Sequence, residues 1–335
     1  MNTPNLTIVV PCYNEEEVLK ETINQLTNVL EDLIKDNLIT NESSLLFVDD
    51  GSKDQTWKII EEENSWNPYV KGIKLAHNVG HQNALLAGLE SAQHQSDCAI
   101  SIDADLQDDI LVIRTFVEKY LEGYDVVYGV RDKRDTDTFF KRTTAIGFYN
   151  FMKKIGINLI PNHADFRLMS KRALQELTKY KETNVFLRGI VPLIGFPSTK
   201  VMYDRKERFA GESKYPLKKM IAFAMNGITS FSVVPIRFVT VIGFISLVLS
   251  GFTGIYALVQ NMLGQTISGW TSLIISIWLI GGLQLVGMGI IGEYIGKIYF
   301  EVKRRPKYAI ETDLYSLENM KYSTLLEKVL ANKEI

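Results

Sequence analysis

The stretch Ala99 to Asp109, AISIDADLQDD, is a short β-branched run that breaks directly into a cluster of acids. A strand over Ala99 to Ile102 delivers Asp103 and Asp105 at its carboxyl end, the place where an open α/β sheet binds its ligand. The same pattern recurs on the N-terminal side. Strands expected over Leu6 to Val10, Leu45 to Val48 and Gly72 to Leu75 run into PCYNEEE, DDGSKDQT and AHNVGHQN, and a fifth is expected over Asp125 to Tyr128. Helix-like stretches lie between them. Glu15 to Lys35 places Val18, Leu19, Ile23, Leu26, Val29, Leu30 and Leu33 on one stripe of helical period; Thr56 to Glu63, Gln82 to Ser91 and Ile110 to Leu121 follow. Short strands alternating with longer helices predict an α/β domain with a mostly parallel central sheet. Polar residues at the strand ends converge on one crevice, which folding alone does not require.

Of the 335 residues 46% are hydrophobic and 23% charged, and 37 basic against 39 acidic side chains leave a formal net charge of −2. This balance excludes a disordered chain, a collagen-like chain and a polybasic nucleic-acid binder. Cys12 and Cys98 sit in apolar runs and read as reduced core residues rather than a metal or redox pair. The absence of any repeat of about 20 to 50 residues removes solenoids and propellers.

The apolar residues are concentrated late in the chain. Between Arg237 and Glu293 no Asp, Glu, Lys or Arg occurs for 55 positions, whereas a membrane-spanning helix needs only about 20 apolar residues. Two spans are expected, Phe238 to Met262 and Trp270 to Gly292, joined by the uncharged loop LGQTISG. Lys218, Lys219 and Arg237 precede the pair, and Lys297, Lys303, Arg304, Arg305 and Lys307 follow it. The positive-inside rule then puts both flanks in the cytoplasm. The opening MNTPNLTIVV has neither a basic n-region nor a cleavage site, so no signal peptide is expected. Tyr215 to Pro235 carries basic residues near its start and apolar Met220, Ile221, Phe223, Ala224 and Ile228 at near-helical spacing. That suits a helix in the headgroup plane, with an ordinary helix packed on the soluble domain as the alternative. The expected organisation is a cytosolic domain over 1–212, an interfacial segment over 213–235, two membrane helices over 236–296 and a cytoplasmic tail over 297–335. Gly281, Gly282, Gly287, Gly289 and Gly292 in the second span permit close helix contacts, and a homo-oligomer is expected.

Two motifs carry the chemistry. In DDGSKD, a carboxylate at the end of strand two can accept hydrogen bonds from a uracil ring or a ribose, and Gly51 permits the tight turn. In DADLQ, Asp103 and Asp105 at i and i+2 turn toward one ion, and Gln107 can add an amide oxygen. Hard oxygen ligands of this kind suit Mg²⁺ or Mn²⁺ shared with a diphosphate, whose departure the ion would assist as a Lewis acid.

With both motifs present, the chain resembles the family 2 glycosyltransferases of GT-A fold. More narrowly it is similar to the bacterial polyprenyl-phosphate hexosyltransferases, relatives of dolichyl-phosphate mannose synthase. The similarity runs from VVPCYNEEE through DDGSKDQT, HNVGHQNALLAGL and DADLQD to NHADFRLMSKRAL, RFAGESKYPLKK and the apolar segment. It implies that Pro11, Tyr13, Glu15, Asp50 and Asp103 contact a nucleotide-sugar, that Asp103, Asp105 and Gln107 hold the divalent ion, and that Asp105 and Asp165 are the catalytic pair. Asp165, in NHADFRLMSK, either positions a sugar or acceptor or acts as a base; His163 ranks behind it. Cations for an acceptor phosphate are expected at Arg131 and Arg142 on one side and at Arg205 and Lys214 on the other.

Three features depart from the family pattern. His77 stands where many relatives have Arg, Asp109 stands where Pro is common, and the Q-x-x-R-W string of processive synthases is absent. The resemblance implies an inverting, metal-dependent enzyme of the plasma membrane. It would move one hexose, glucose or GlcNAc, from a UDP-sugar to undecaprenyl or another polyprenyl phosphate for cell-envelope glycan modification, with no nucleic-acid partner. The alternatives are another donor or acceptor, such as GDP-mannose or diacylglycerol, and a non-catalytic membrane scaffold that binds nucleotide sugars. A two-span transporter is disfavoured because the spans hold no charged residue to mark a polar path.

Overall fold

The computed structural model describes residues 3–131, 163–182, 185–204, 234–263 and 269–316. Four strands, β1 (Leu6–Cys12), β2 (Ser44–Asp49), β3 (Val70–Leu75) and β4 (Cys98–Ser101), run parallel. Every residue of β1, β2 and β4 is buried, as expected of parallel strands covered on both faces. Their crossovers are α1 (Leu19–Lys35), α2 (Thr56–Trp66) and α3 (His81–Gln95). The stripe expected on the first helix is the face that α1 buries, with Leu19, Ile23, Leu26, Leu30 and Leu33 inside. Helix α3 lies so close to the sheet that a Cβ on Gly88 would stand 2.3 Å from Val9 Cγ1. A larger side chain there must push the helix off β1.

After α4 (Val112–Leu121) come β5 (Val126–Arg131), β6 (His163–Ser170), α5 (Lys171–Leu177), the one-turn α6 (Leu187–Ile190) with a 3₁₀ turn over Val191–Ile194, and β7 (Ser198–Tyr203). The eight-stranded sheet has the order β7-β5-β6-β4-β1-β2-β3-β8. Strand β6 is antiparallel to β4, with Ser101 opposite Arg167, so the beginning of β6 lies at the carboxyl end of β4. Strand β5 is antiparallel to β6 and β7 is parallel to β5, with Arg131 opposite Tyr203. The ends of β1 to β5 and β7 and the start of β6 therefore share one edge of the sheet.

The last strand, β8 (Ile310–Asp313), pairs antiparallel with β3, and Tyr315 behind it is buried with its hydroxyl 3.0 Å from Thr7 Oγ1. The stretch read from sequence as a cytoplasmic tail thus contributes a strand to the α/β unit. Residues 317–335, the segment over 213–233 and the loop residues 264–268 lie outside the described residues.

The chain forms two compact units, one holding residues up to 204 together with those from 306, the other holding the two long helices. These are α7 (Val234–Met262), of 29 residues, and α8 (Trp270–Lys303), of 34. At about 1.5 Å per residue each exceeds the ~30 Å hydrocarbon core of a bilayer. Among the described residues one stretch, Leu279–Lys303 in α8, meets the length and apolarity of a membrane span. Of the glycines expected to mediate helix contacts, Gly287 meets Val239 of α7 (3.1 Å from its built Cβ to Cγ1), whereas Gly281, Gly282, Gly289 and Gly292 meet nothing within 4 Å.

The turn after β2 permits one stability prediction. Gly51 has φ +65°, and a Cβ there would stand 2.7 Å from Asn78 N and His77 C, both backbone atoms. Gly51→Ala is expected to cost about 2 kcal/mol or more, from left-handed strain and backbone displacement together. A thermal midpoint equal to that of the wild type would refute this.

Candidate active site

The loops after β1 and β2 are zipped together. Asn14, at φ +52°, accepts from Lys53 N at 2.8 Å and donates its own N–H to Ser52 Oγ at 3.0 Å, while Glu15 N donates to Thr56 Oγ1 at 2.9 Å. Tyr13 is 37% exposed at the mouth of this double loop, Glu15 is half-buried and Pro11 is buried inside β1. Asp50 is buried and accepts from Val79 N at 2.7 Å with one oxygen and from Gly80 N at 3.0 Å with the other. Burial pushes its carboxyl up despite these bonds. In this arrangement Asp50 shapes the turn that opens α3.

The Asp103–Gln107 loop is anchored from below. Leu106 adopts φ +54° and is buried, and Thr22 Oγ1 of α1 donates to the Ala104 carbonyl at 2.8 Å. Asp103, Asp105 and Gln107 remain half-buried, with Gln107 N donating to Asp105 Oδ1 at 3.2 Å. Burial pushes the Asp103 carboxyl up; His81 opposes this, and Asp108, Asp165 and Asp105 reinforce it. No three His, Cys, Asp or Glu side chains among the described residues form a closed metal cluster. Two carboxylates and an amide oxygen fit an ion whose remaining positions are filled by a diphosphate and water.

Asp165 is the hub of the site. It is buried, and receives Arg167 Nη2, Arg188 Nη2 at 3.2 Å and Gln82 Nε2 at 3.1 Å. His81 Nε2 lies 3.6 Å from Asp165 Oδ2 and 3.6 Å from Asp103 Oδ1. Burial alone would raise the Asp165 pKa, but Arg188, His81 and Arg167 together hold it well below the usual carboxylate range. The antiparallel register of β6 brings this residue beside Asp103 across a long sequence separation. Its partners His81, Gln82, Arg167 and Arg188 were not singled out in the sequence. The signal for His81 is its place directly after Gly80, in the first turn of a helix at the strand-three end, whereas His77 is exposed.

His81 carries a pH prediction. Burial works against its charge, yet the contact with Asp165 and the charges of Asp103 and Asp165 outweigh burial and Arg188, and the pKa is pushed up to about 9. A raised folded value means that the ion pair stabilises fully below the unfolded value near 6.5 and is lost as pH rises through about 9. In metal-free protein, the gap in thermal midpoint between wild type and His81→Gln is expected to be widest near about pH 6 and to close by about pH 10. A gap that widens with pH would contradict this.

Arg131 Nη2 donates to buried Asp108 Oδ1 at 3.0 Å, and Tyr203 Oη donates to the same oxygen at 2.5 Å. Arg131 is thus engaged by the carboxylate that follows the Asp103–Gln107 loop. Arg142, Arg205 and Lys214 lie outside the described residues. His163 is buried edge-on against Tyr128, with ring centroids 5.6 Å apart, and Asp109 accepts from Leu111 N at 3.4 Å just before α4.

Residues 7–178 match Glycosyl transferase family 2. The chain is 67% identical over 313 residues to the Bacillus subtilis protein named "Uncharacterized glycosyltransferase YkoT", covering 93% of each chain. It is 40% identical over 308 residues to the "SfII prophage-derived bactoprenol glucosyl transferase" of Shigella flexneri, covering 91% of this chain and 97% of that one. Among solved structures, glucosyl-3-phosphoglycerate synthase from Mycobacterium tuberculosis with Mn²⁺, UDP and phosphoglyceric acid aligns at TM-score 0.45 and 16% identity, over 68% of this chain and 76% of that one. The chain belongs to the family 2 glycosyltransferases.

Proposed function

We propose that this glycosyltransferase moves a single hexose, glucose before GlcNAc, from a UDP-sugar to a polyprenyl phosphate at the cytoplasmic face of the membrane, with inversion. The state of Asp165 carries this reading. A hydroxyl acceptor needs a base to take its proton, whereas a phosphate monoester is already ionised near pH 7. Asp165, held by Arg167, Arg188 and Gln82, is a poor proton acceptor, and the same carboxylate draws His81 beside it toward its charged form. A site with these two groups at its centre suits an anionic nucleophile. Displacement by phosphate at the anomeric carbon is a single inverting step that needs no covalent enzyme intermediate.

The residues divide the work. Tyr13 and Glu15 flank the nucleotide, and Asp50 and Pro11 fix the loops on which it rests. Asp103, Asp105 and Gln107 would hold Mg²⁺ or Mn²⁺, which when bound offsets the charge that builds on the departing diphosphate. Asp165 orients the sugar or the acceptor. Arg142, Arg205 and Lys214 are assigned to the acceptor phosphate, joined by Arg131. The bactoprenol glucosyl transferases among the relatives support glucose as the sugar and a polyprenyl carrier as its acceptor. Strand topology supports a two-span anchor. An even number of crossings by α7 and α8 is consistent with β8 joining the same sheet as β1 to β7.

The test compares acceptors. Purified full-length protein is given UDP-glucose, UDP-GlcNAc or GDP-mannose with undecaprenyl phosphate, with undecaprenol, or with diacylglycerol. Product is expected with the phosphate alone, and fastest from UDP-glucose. Equal rates with the free alcohol would overturn the reading, since they require a base.

A further inference from the structure

The second of the acidic clusters at the site is not itself exposed to ligand. Asp108 follows the Asp103–Gln107 loop directly, and its side chain is 1% exposed. One oxygen, Oδ1, accepts from Arg131 Nη2 at 3.0 Å and from Tyr203 Oη at 2.5 Å, and Arg131 Nε donates to Tyr203 Oη at 3.3 Å. Among the described residues the other oxygen, Oδ2, is buried without a hydrogen-bond partner. Arg131 is the last residue of β5 and Tyr203 the last of β7, and the two are register partners. The Tyr203 ring is fixed in turn, edge-on to Phe166 with centroids 5.5 Å apart. Burial and the Asp108 charge push the Tyr203 hydroxyl up, so it remains a donor throughout the neutral range.

We propose that Asp108, Arg131 and Tyr203 form a positioning cluster that sets the affinity of the Asp103–Gln107 loop for its divalent ion. The ends of two paired strands seize the residue that follows the last of the three ligands. The loop is held at its other end by the Thr22 bond to the Ala104 carbonyl. Freed at Asp108, the chain through Gln107 loses its second fixed point, and the three oxygen donors must be reordered each time the ion binds. Groups that orient metal ligands without touching the ion commonly contribute 10- to 100-fold in affinity. The cluster gives Arg131 a role that exists before any acceptor arrives. This proposal rests on the metal-dependent reading above.

The test is a Mn²⁺ titration followed by electron paramagnetic resonance, on full-length protein in the presence of UDP and without lipid acceptor. Tyr203→Phe removes only the hydroxyl and keeps the ring against Phe166; Asp108→Asn keeps the shape and removes the charge. Each is expected to weaken Mn²⁺ about 10-fold, while Arg131→Lys, which keeps the charge but loses the fork, falls between them and the wild type. Circular dichroism and the thermal midpoint establish that each variant is folded. Wild-type affinity in both folded Tyr203→Phe and Asp108→Asn would overturn the proposal, and a raised KM for polyprenyl phosphate alone in Arg131→Lys would make that residue a simple acceptor contact. If the wild type itself binds no Mn²⁺ with UDP, the metal reading fails and takes the proposal with it.

Discussion

Asp165→Asn is expected to abolish transfer and to lower the thermal midpoint by on the order of 10 °C. Both effects have one cause. Arg167 is 1% exposed, and Asp165 is its carboxylate partner. Removing one member of a buried pair leaves an uncompensated charge in low dielectric, at a cost of about 3–5 kcal/mol. Arg188, at 37% exposed, can turn to water and adds little to that cost. The amide also frees His81, Gln82 and α6 from their common anchor, and misplacement of about 1 Å at a reacting centre costs roughly 100-fold in rate. A double variant, Asp165→Asn with Arg167→Met, removes the stranded charge and is expected to recover most of the lost stability but none of the activity. The pH behaviour follows from the depressed pKa. Asp165 contributes stability above the unfolded carboxylate value near ~4, and that contribution is lost only as pH falls through its lower folded value. The wild-type advantage over Asp165→Asn is therefore expected to shrink in acid as this contribution is lost, and to decline in part above neutral pH as His81 gives up its charge through about 9. An advantage that grew as pH fell into the acid range would rule out this account of the residue.

Asp105→Ala is expected to have the opposite profile, with transfer down roughly 1,000-fold and stability nearly unchanged. Asp105 is half-buried at the mouth of the site, and the loop that carries it is fixed by Leu106, by the Thr22 bond to Ala104 and by Asp108, all of which the substitution leaves intact. What is lost is one of the two carboxylates that would hold the ion against a departing diphosphate. UDP affinity in Mn²⁺ is expected to fall toward its metal-free value. A variant that transfers at the wild-type rate in the presence of EDTA would remove the metal from the mechanism.

Much of this was legible in the sequence, and the reasons are physical. A parallel strand must be followed by a crossover and must place its polar exit at one edge of the sheet, so four apolar runs ending in acids and amides located both the sheet and the crevice. The DAD spacing singled out Asp103 and Asp105 as candidate ion ligands because that reading needs no distant partner. Asp165 was found through resemblance, but its environment was not, because the antiparallel register of β6 and the one-turn helix carrying Arg188 join residues far apart in sequence. Arg131 illustrates the same limit. A cation after a strand shows its charge in the sequence but not the partners that β7 and the Asp103–Gln107 loop bring to it, Tyr203 and Asp108. Strand β8 was missed for a local reason. Its residues, IETD, are short, polar on average and at a sheet edge, and the Tyr315 plug that secures them finds its partners Thr7 and Ser96 at the opposite end of the chain.

The account stands on the transfer of a sugar to a lipid phosphate. The direct measurement is the appearance of radiolabel from UDP-glucose in the organic extract of a reaction containing detergent-purified protein and undecaprenyl phosphate, with Mn²⁺ or with EDTA. Metal-dependent label in a lipid-linked monosaccharide, lost in Asp105→Ala, is the predicted result. Protein that binds UDP-glucose and Mn²⁺ yet places no label in the lipid with any UDP- or GDP-sugar would contradict it.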